Sequence, residues 1–153
     1  VNVGHHFDHT LQALPIIAIF MPLLAGLGGN IGTQSITLMV RGLSTGQVTL
    51  SSAVHHIFRE TFIGLIIGTI FGSLVTAVTW GWQHNMELGA VVGIAMAINM
   101  TMATIIGTFT PFALKAMKVD PAVASGPVIA TTIDVLGLAI YFTLVSTFLI
   151  KVM

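Results

Sequence analysis

Three long apolar stretches, Thr61 to Trp80, Leu88 to Leu114 and Ala122 to Ile150, leave this chain few folds to choose from. Each carries few or no charges, and each meets or exceeds the roughly 20 residues that an α-helix needs to cross about 30 Å of hydrocarbon. Lys, Arg, Asp and Glu make up 7% of the 153 residues and apolar residues 55%, too little polar surface to clothe a water-soluble fold. Backbone in lipid has no water to bond, so these stretches must satisfy their own amides as helices. The expected fold class is an all-α integral membrane bundle.

A fourth stretch, Leu11 to Val40, is also long enough to span. Pro15, Pro22 and the run Gly26-Leu27-Gly28-Gly29-Asn30 predict that it is bent or locally unwound, because proline and glycine weaken a helix interior. Irregular backbone at membrane depth is tolerated only beside protein or a water-filled cavity, which makes the expected break a functional clue.

Short polar connections separate the four stretches. The first runs from Arg41-Gly42-Leu43-Ser44 to Arg59-Glu60, the second from Gly81 to Glu87 and the third from Lys115 to Pro121. If each helix spans once, the first and third share a side, and Arg41, Arg59, Lys115 and Lys118 place that side in the cytoplasm. The chain start, the second connection and Lys151 then face outward, with Trp80 and Trp82 at the interface. An external start, and a first residue that is Val rather than Met, lead us to expect one further helix before Val1. Gly64, Gly68 and Gly72 recur every four residues, and Gly89 and Gly93 repeat the spacing, a pattern for close helix approach through small residues. The absence of cysteine removes disulfides and thiolate metal sites, and a formal net charge of zero gives no reason to expect nucleic-acid binding.

Asp134 is the most informative residue. It lies well inside the last apolar stretch, where a carboxylate costs about 3 kcal/mol or more unless water, a cation or a partner meets it. Helical spacing puts Pro127, Ala130, Thr131, Asp134, Gly137 and Tyr141 on roughly one side, a small and polar stripe able to line a pore. Three roles are open to Asp134: passage or coordination of a cation, a structural hydrogen bond to Thr or Asn on another helix, or a protonated, proton-coupling carboxyl. One carboxylate per chain is a thin site for a divalent ion, but two-fold symmetry about a pore would supply two, with a cation relieving their repulsion. Mg²⁺ suits such a site because it releases its waters reluctantly, so a path can offer it few protein oxygens; Ca²⁺ asks for a denser cage.

Other polar groups are weaker candidates. Gly28 and Gly29 allow close backbone approach, while Asn30 and Gln34, one turn apart, either shape a permeation path or clamp neighbouring helices. Asn99, Thr101, Thr104 and Thr108 read as structural, since Thr hydroxyls bond their own helix backbone. His5, His6, Asp8 and His9 are possible Zn²⁺ or Ni²⁺ ligands, but a short terminal run specifies no geometry. His55, His56, Arg59 and Glu60 read as a solvated helix entrance.

The segment Pro22 to Ser35 with its Gly-Gly-Asn and Gln core, the following Ile36 to Leu43, and Val119-Asp120-Pro121-Ala122 continuing through Ser125-Gly126-Pro127 to Phe142 resemble the transmembrane domain of the MgtE family of magnesium channels or transporters, related to the animal solute-carrier 41 proteins. The resemblance implies a five-helix domain per subunit, of which four spans are visible here, in a homodimer with a central pore. It implies that the helices through Pro22 and through Asp134 line that pore, and that Asp134 is the pore aspartate that meets hydrated Mg²⁺. It also implies a first helix, a cytoplasmic N-domain and paired CBS domains that this sequence does not contain. Gly126 and Thr33 depart from the family, which commonly has Asn at both positions.

The expected function is Mg²⁺ movement across the cytoplasmic membrane through a dimeric pore. Pore-lining or supporting candidates are Gly28, Gly29, Asn30, Gln34, Gly126, Pro127, Ala130, Thr131 and Gly137, with Asp134 on the ion. The alternatives are an ion-coupled secondary transporter of divalent cations and a noncatalytic assembly subunit. No nucleophile–base arrangement or cofactor motif suggests an enzyme.

Overall fold

The computed structural model describes the backbone of residues 2–123 and 126–149 and the side chains of residues 18–123 and 127–148. The described residues form four α-helices, α1 (Asn2–Ser44), α2 (Ala53–Gln83), α3 (Met86–Ala116) and α4 (Gly126–Leu144), the last running into a π-helical turn at Val145–Leu149. Three segments among them, Leu50–Gln83, Met86–Ala116 and Pro127–Phe148, are long and apolar enough to cross a membrane. The side chains of His5, His6, Asp8 and His9 and the surroundings of Gly126 lie outside the described residues, as does Lys151.

The first two connections are tighter than the sequence implies, whereas residues 117–125 separate α3 from α4. Between α2 and α3 only His84 and Asn85 intervene. His84 takes the left-handed conformation at φ 52° and its N–H bonds the Trp80 carbonyl at 2.9 Å, while the Asn85 side chain accepts the Leu88 N–H at 3.0 Å and caps α3. The result is an antiparallel helix hairpin sealed by glycine. Gly68 lies against the Ala97 backbone and Gly72 against that of Gly93, where an added Cβ would come within 2.8 and 2.5 Å of the carbonyl oxygens. At the other end of the bundle, Lys115 donates from Nζ to the Leu43 carbonyl at 3.1 Å, so the end of α3 is tied to the end of α1. The first and third connections therefore lie at one end and His84–Asn85 at the other.

Two expectations are corrected. The break in the first apolar stretch does not form: α1 is one continuous helix through Pro22 and residues 26–30. Its glycines serve close packing instead of unwinding, for a Cβ on Gly28, Gly29 or Gly32 would strike Asn99, Asp134 or Ile133. The solvated helix entrance is also revised. Helix α2 begins at Ala53, and His55 and Arg59 are exposed as expected, whereas Glu60 is buried with 6% of its surface exposed.

Helix α3 is the axis of the bundle. Its apolar residues occur on every side, and α1, α2 and α4 all pack on it; α1 also packs on α4, whereas α2 joins the bundle through α3. Apolar clusters follow one another along it. Phe20, Leu24, Val92, Met96, Met100 and Tyr141 belong to the one toward the α2–α3 turn, Ile36, Ala103, Ile129 and Ile133 form the next, and Met39, Leu43, Val48 and Phe112 close the far end. Between the first two clusters lies a layer with different chemistry.

Candidate cation site

That layer is built from glycine, an amide and a carboxylate. Asp134 lies eight residues after Gly126 and ten before Leu144, roughly 12 and 15 Å along the axis of α4, and so well inside the apolar helix. Ile133 before it is buried and Val135 after it exposed, which puts half-buried Asp134 at the border between the packed and open faces of α4. Its Oδ1 is buried and accepts no hydrogen bond from any described residue. Facing it across the α1–α4 crossing is Gly29, where an added Cβ would stand 2.8 Å from Oδ1 and 3.6 Å from Cβ of Ala130. Only a residue without a side chain leaves the carboxylate this position.

One turn away, Asn99 of α3 is inserted between α1 and α4. With 2% of its surface exposed, it donates from Nδ2 to the Leu24 carbonyl at 2.7 Å. Gly28 on α1 and Gly137 on α4 form the notch that receives it, since a Cβ at Gly28 would be 2.6 Å from Nδ2 and one at Gly137 would collide with the amide. The three-helix junction beside Asp134 is thus set by a single polar side chain. Its own spacing in the sequence was the available sign, an Asn at mid-depth of an apolar helix, but nothing there tells which two helices it pins.

The structure sorts the remaining candidates. Asp134, Gly29 and Ala130 meet at the crossing, and Gly28 and Gly137 close on Asn99. Asn30 and Gln34 are exposed on α1, Gln34 together with Thr33, Thr37, Leu38 and Arg41 lining a groove of about 320 Å³. Pro127 and Thr131 are exposed on α4, and the Thr131 hydroxyl donates to the Pro127 carbonyl at 2.9 Å. The hydroxyls of Thr101 and Thr104 likewise bond their own helix, at 2.7 and 2.8 Å. Among the described residues no three His, Cys, Asp or Glu side chains converge on one point. The donor set around Asp134, one carboxylate beside backbone and open surface, suits an ion that keeps its water more than one stripped to a full protein cage.

Residues 21–144 match the family model described as MgtE, divalent cation transporter. The chain is 39% identical over 148 residues to the magnesium transporter MgtE of Bacillus subtilis (strain 168), an overlap of 97% of this chain and 33% of that protein. It is 36% identical over 144 residues to the magnesium transporter MgtE of Enterococcus faecalis (94% and 32%), and 35% identical over 137 residues to that of Thermus thermophilus (90% and 30%). The chain spans about a third of the length of these relatives.

Proposed function

Because this chain belongs to the MgtE family of divalent cation transporters, we propose that it forms part of an ion-conducting membrane domain whose substrate is Mg²⁺ and whose pore carboxylate is Asp134. It is a multi-pass chain of the inner (cytoplasmic) membrane. The observation that carries the reading is the Asp134 Oδ1, buried within an apolar helix with no donor on it among the described residues. A charged oxygen left there without compensation is strongly destabilising, and a passing cation with its waters supplies both the positive charge and the missing hydrogen bonds.

The rest of the site supports a wet path. Asn30 and Gln34 on α1 and Pro127 and Thr131 on α4 are exposed near the same crossing, so a second copy related by a two-fold axis would enclose a channel between polar faces and bring a second Asp134 to it. An inside-negative potential favours entry of a doubly charged ion by about 4.6 kcal/mol per 100 mV, so no coupling ion is needed to drive uptake. The unwound backbone on which alternating access would rest is not found in continuous α1.

The test is uptake of Mg²⁺ by the full-length protein in liposomes under an inside-negative potential. We expect Asp134→Asn to lower the flux at least tenfold while the purified variant stays monodisperse. Undiminished flux in that variant would remove the carboxylate from the path. Parallel assays with Mn²⁺, Co²⁺ and Ca²⁺ define selectivity, with Ca²⁺ expected to pass least.

A further inference from the structure

Glu60 stands apart from Asp134, near the end of the bundle where α1 hands over to α2. It is 6% exposed, and among the described residues its carboxylate has neither an ion pair nor a hydrogen bond. It lines a pocket of about 210 Å³ with Arg41, Gln47, His56, Arg59 and Leu38. Arg41 and Arg59 are exposed, so the pocket sets two positive groups at its outer part and one negative group in its wall.

A carboxylate that opens into a pocket with no protein partner attracts a cation able to donate hydrogen bonds. Guanidinium groups, in turn, bind phosphate with fitted, paired N–H donors. An occupant that answers both is a zwitterion with a phosphate and a primary ammonium group. The membrane side of the pocket suits acyl chains. Phe62 lies about one turn deeper than Arg59 on α2 and is 63% exposed.

We propose that this pocket binds an aminophospholipid of the phosphatidylethanolamine type, with its ammonium on Glu60, its phosphate between Arg41 and Arg59, and its chains along Phe62. Phosphatidylglycerol offers the phosphate but nothing to Glu60. Phosphatidylcholine carries the positive charge, but its methylated nitrogen has no N–H to donate. Basic residues near a membrane surface favour any anionic lipid; the carboxylate in the pocket wall is what makes this site select a primary amine. The inference stands apart from ion conduction and does not depend on it.

The test is lipid binding to the full-length protein in detergent, read by native mass spectrometry and by the rise in Tm on titration. The probes are phosphatidylethanolamine, its mono- and dimethyl forms, phosphatidylcholine and phosphatidylglycerol with identical acyl chains. Affinity is expected to fall with each methyl group, by about tenfold in all between ethanolamine and choline. Glu60→Gln should bring ethanolamine down to the choline level without weakening phosphatidylglycerol, and Arg59→Gln should weaken all of them. Equal binding of the ethanolamine and choline lipids to the unaltered protein would overturn the proposal, a comparison that needs no variant to fold. So would an ethanolamine preference that survives Glu60→Gln. Soluble phosphoethanolamine binding as tightly as the lipid would overturn the assignment to a membrane lipid.

Discussion

The smallest residue on α1 controls the most conspicuous one on α4. Gly29 leaves no atom between its backbone and Asp134, and a methyl group there would push the carboxylate aside or lever the two helices apart. Gly29→Ala is therefore expected to reduce Mg²⁺ flux several-fold, even though alanine raises helix propensity by about 1 kcal/mol. Flux and circular dichroism measured together separate these effects, and wild-type transport by the variant would show that Asp134 needs no such clearance. Asn99 acts by holding position. Asn99→Ala loses its bond to the Leu24 carbonyl and opens a void at the junction, with an expected stability loss of about 1–3 kcal/mol in a denaturant titration in micelles.

Between helices, identical residues have opposite consequences according to what faces them. Gly68 meets the Ala97 carbonyl and Cα, backbone atoms that cannot rotate away, whereas nothing stands within 4 Å of a Cβ on Gly26. Gly68→Leu should separate α2 from α3 and cost about 2–3 kcal/mol, while Gly26→Ala should be neutral or stabilising by up to about 1 kcal/mol. Thermal unfolding of the two variants in the same detergent checks the contrast; equal destabilisation would mean that lost conformational freedom, not contact, governs these glycines. The continuity of α1 belongs to the same account. Each glycine weakens the helix by a modest local amount, and the surface that the missing side chains open to α3 and α4 offsets it.

At the scale of the molecule, the Lys115–Leu43 tie and the two-residue α2–α3 turn set which connections share an end. These 153 residues contain no cysteine, so a single cysteine introduced among them has no competing thiol in this part of the chain. Thr45→Cys and Met117→Cys are expected to react with a membrane-impermeant maleimide from the cytoplasmic side, and Met86→Cys from the opposite side. Labelling of all three from one side would defeat the arrangement of α2 and α3 as a transmembrane hairpin.

Much of this was legible in the residues themselves. The length and apolarity of the stretches dictated helices at membrane depth, because an unpaired backbone is intolerable in hydrocarbon. The isolation of Asp134 in an apolar run marked it as exceptional, since burying a charge is expensive whatever surrounds it. Periodicity also put Gly64, Gly68 and Gly72 on one face. It could not say what covers a face, because that depends on a helix remote in the chain. For that reason the packed state of Gly28, Gly29 and Gly137, the clamp made by Asn99 and the burial of Glu60 were decided only by the tertiary structure. Local propensity describes one helix in isolation, but a crossing of three helices turns an apparent weak point into the place of closest contact.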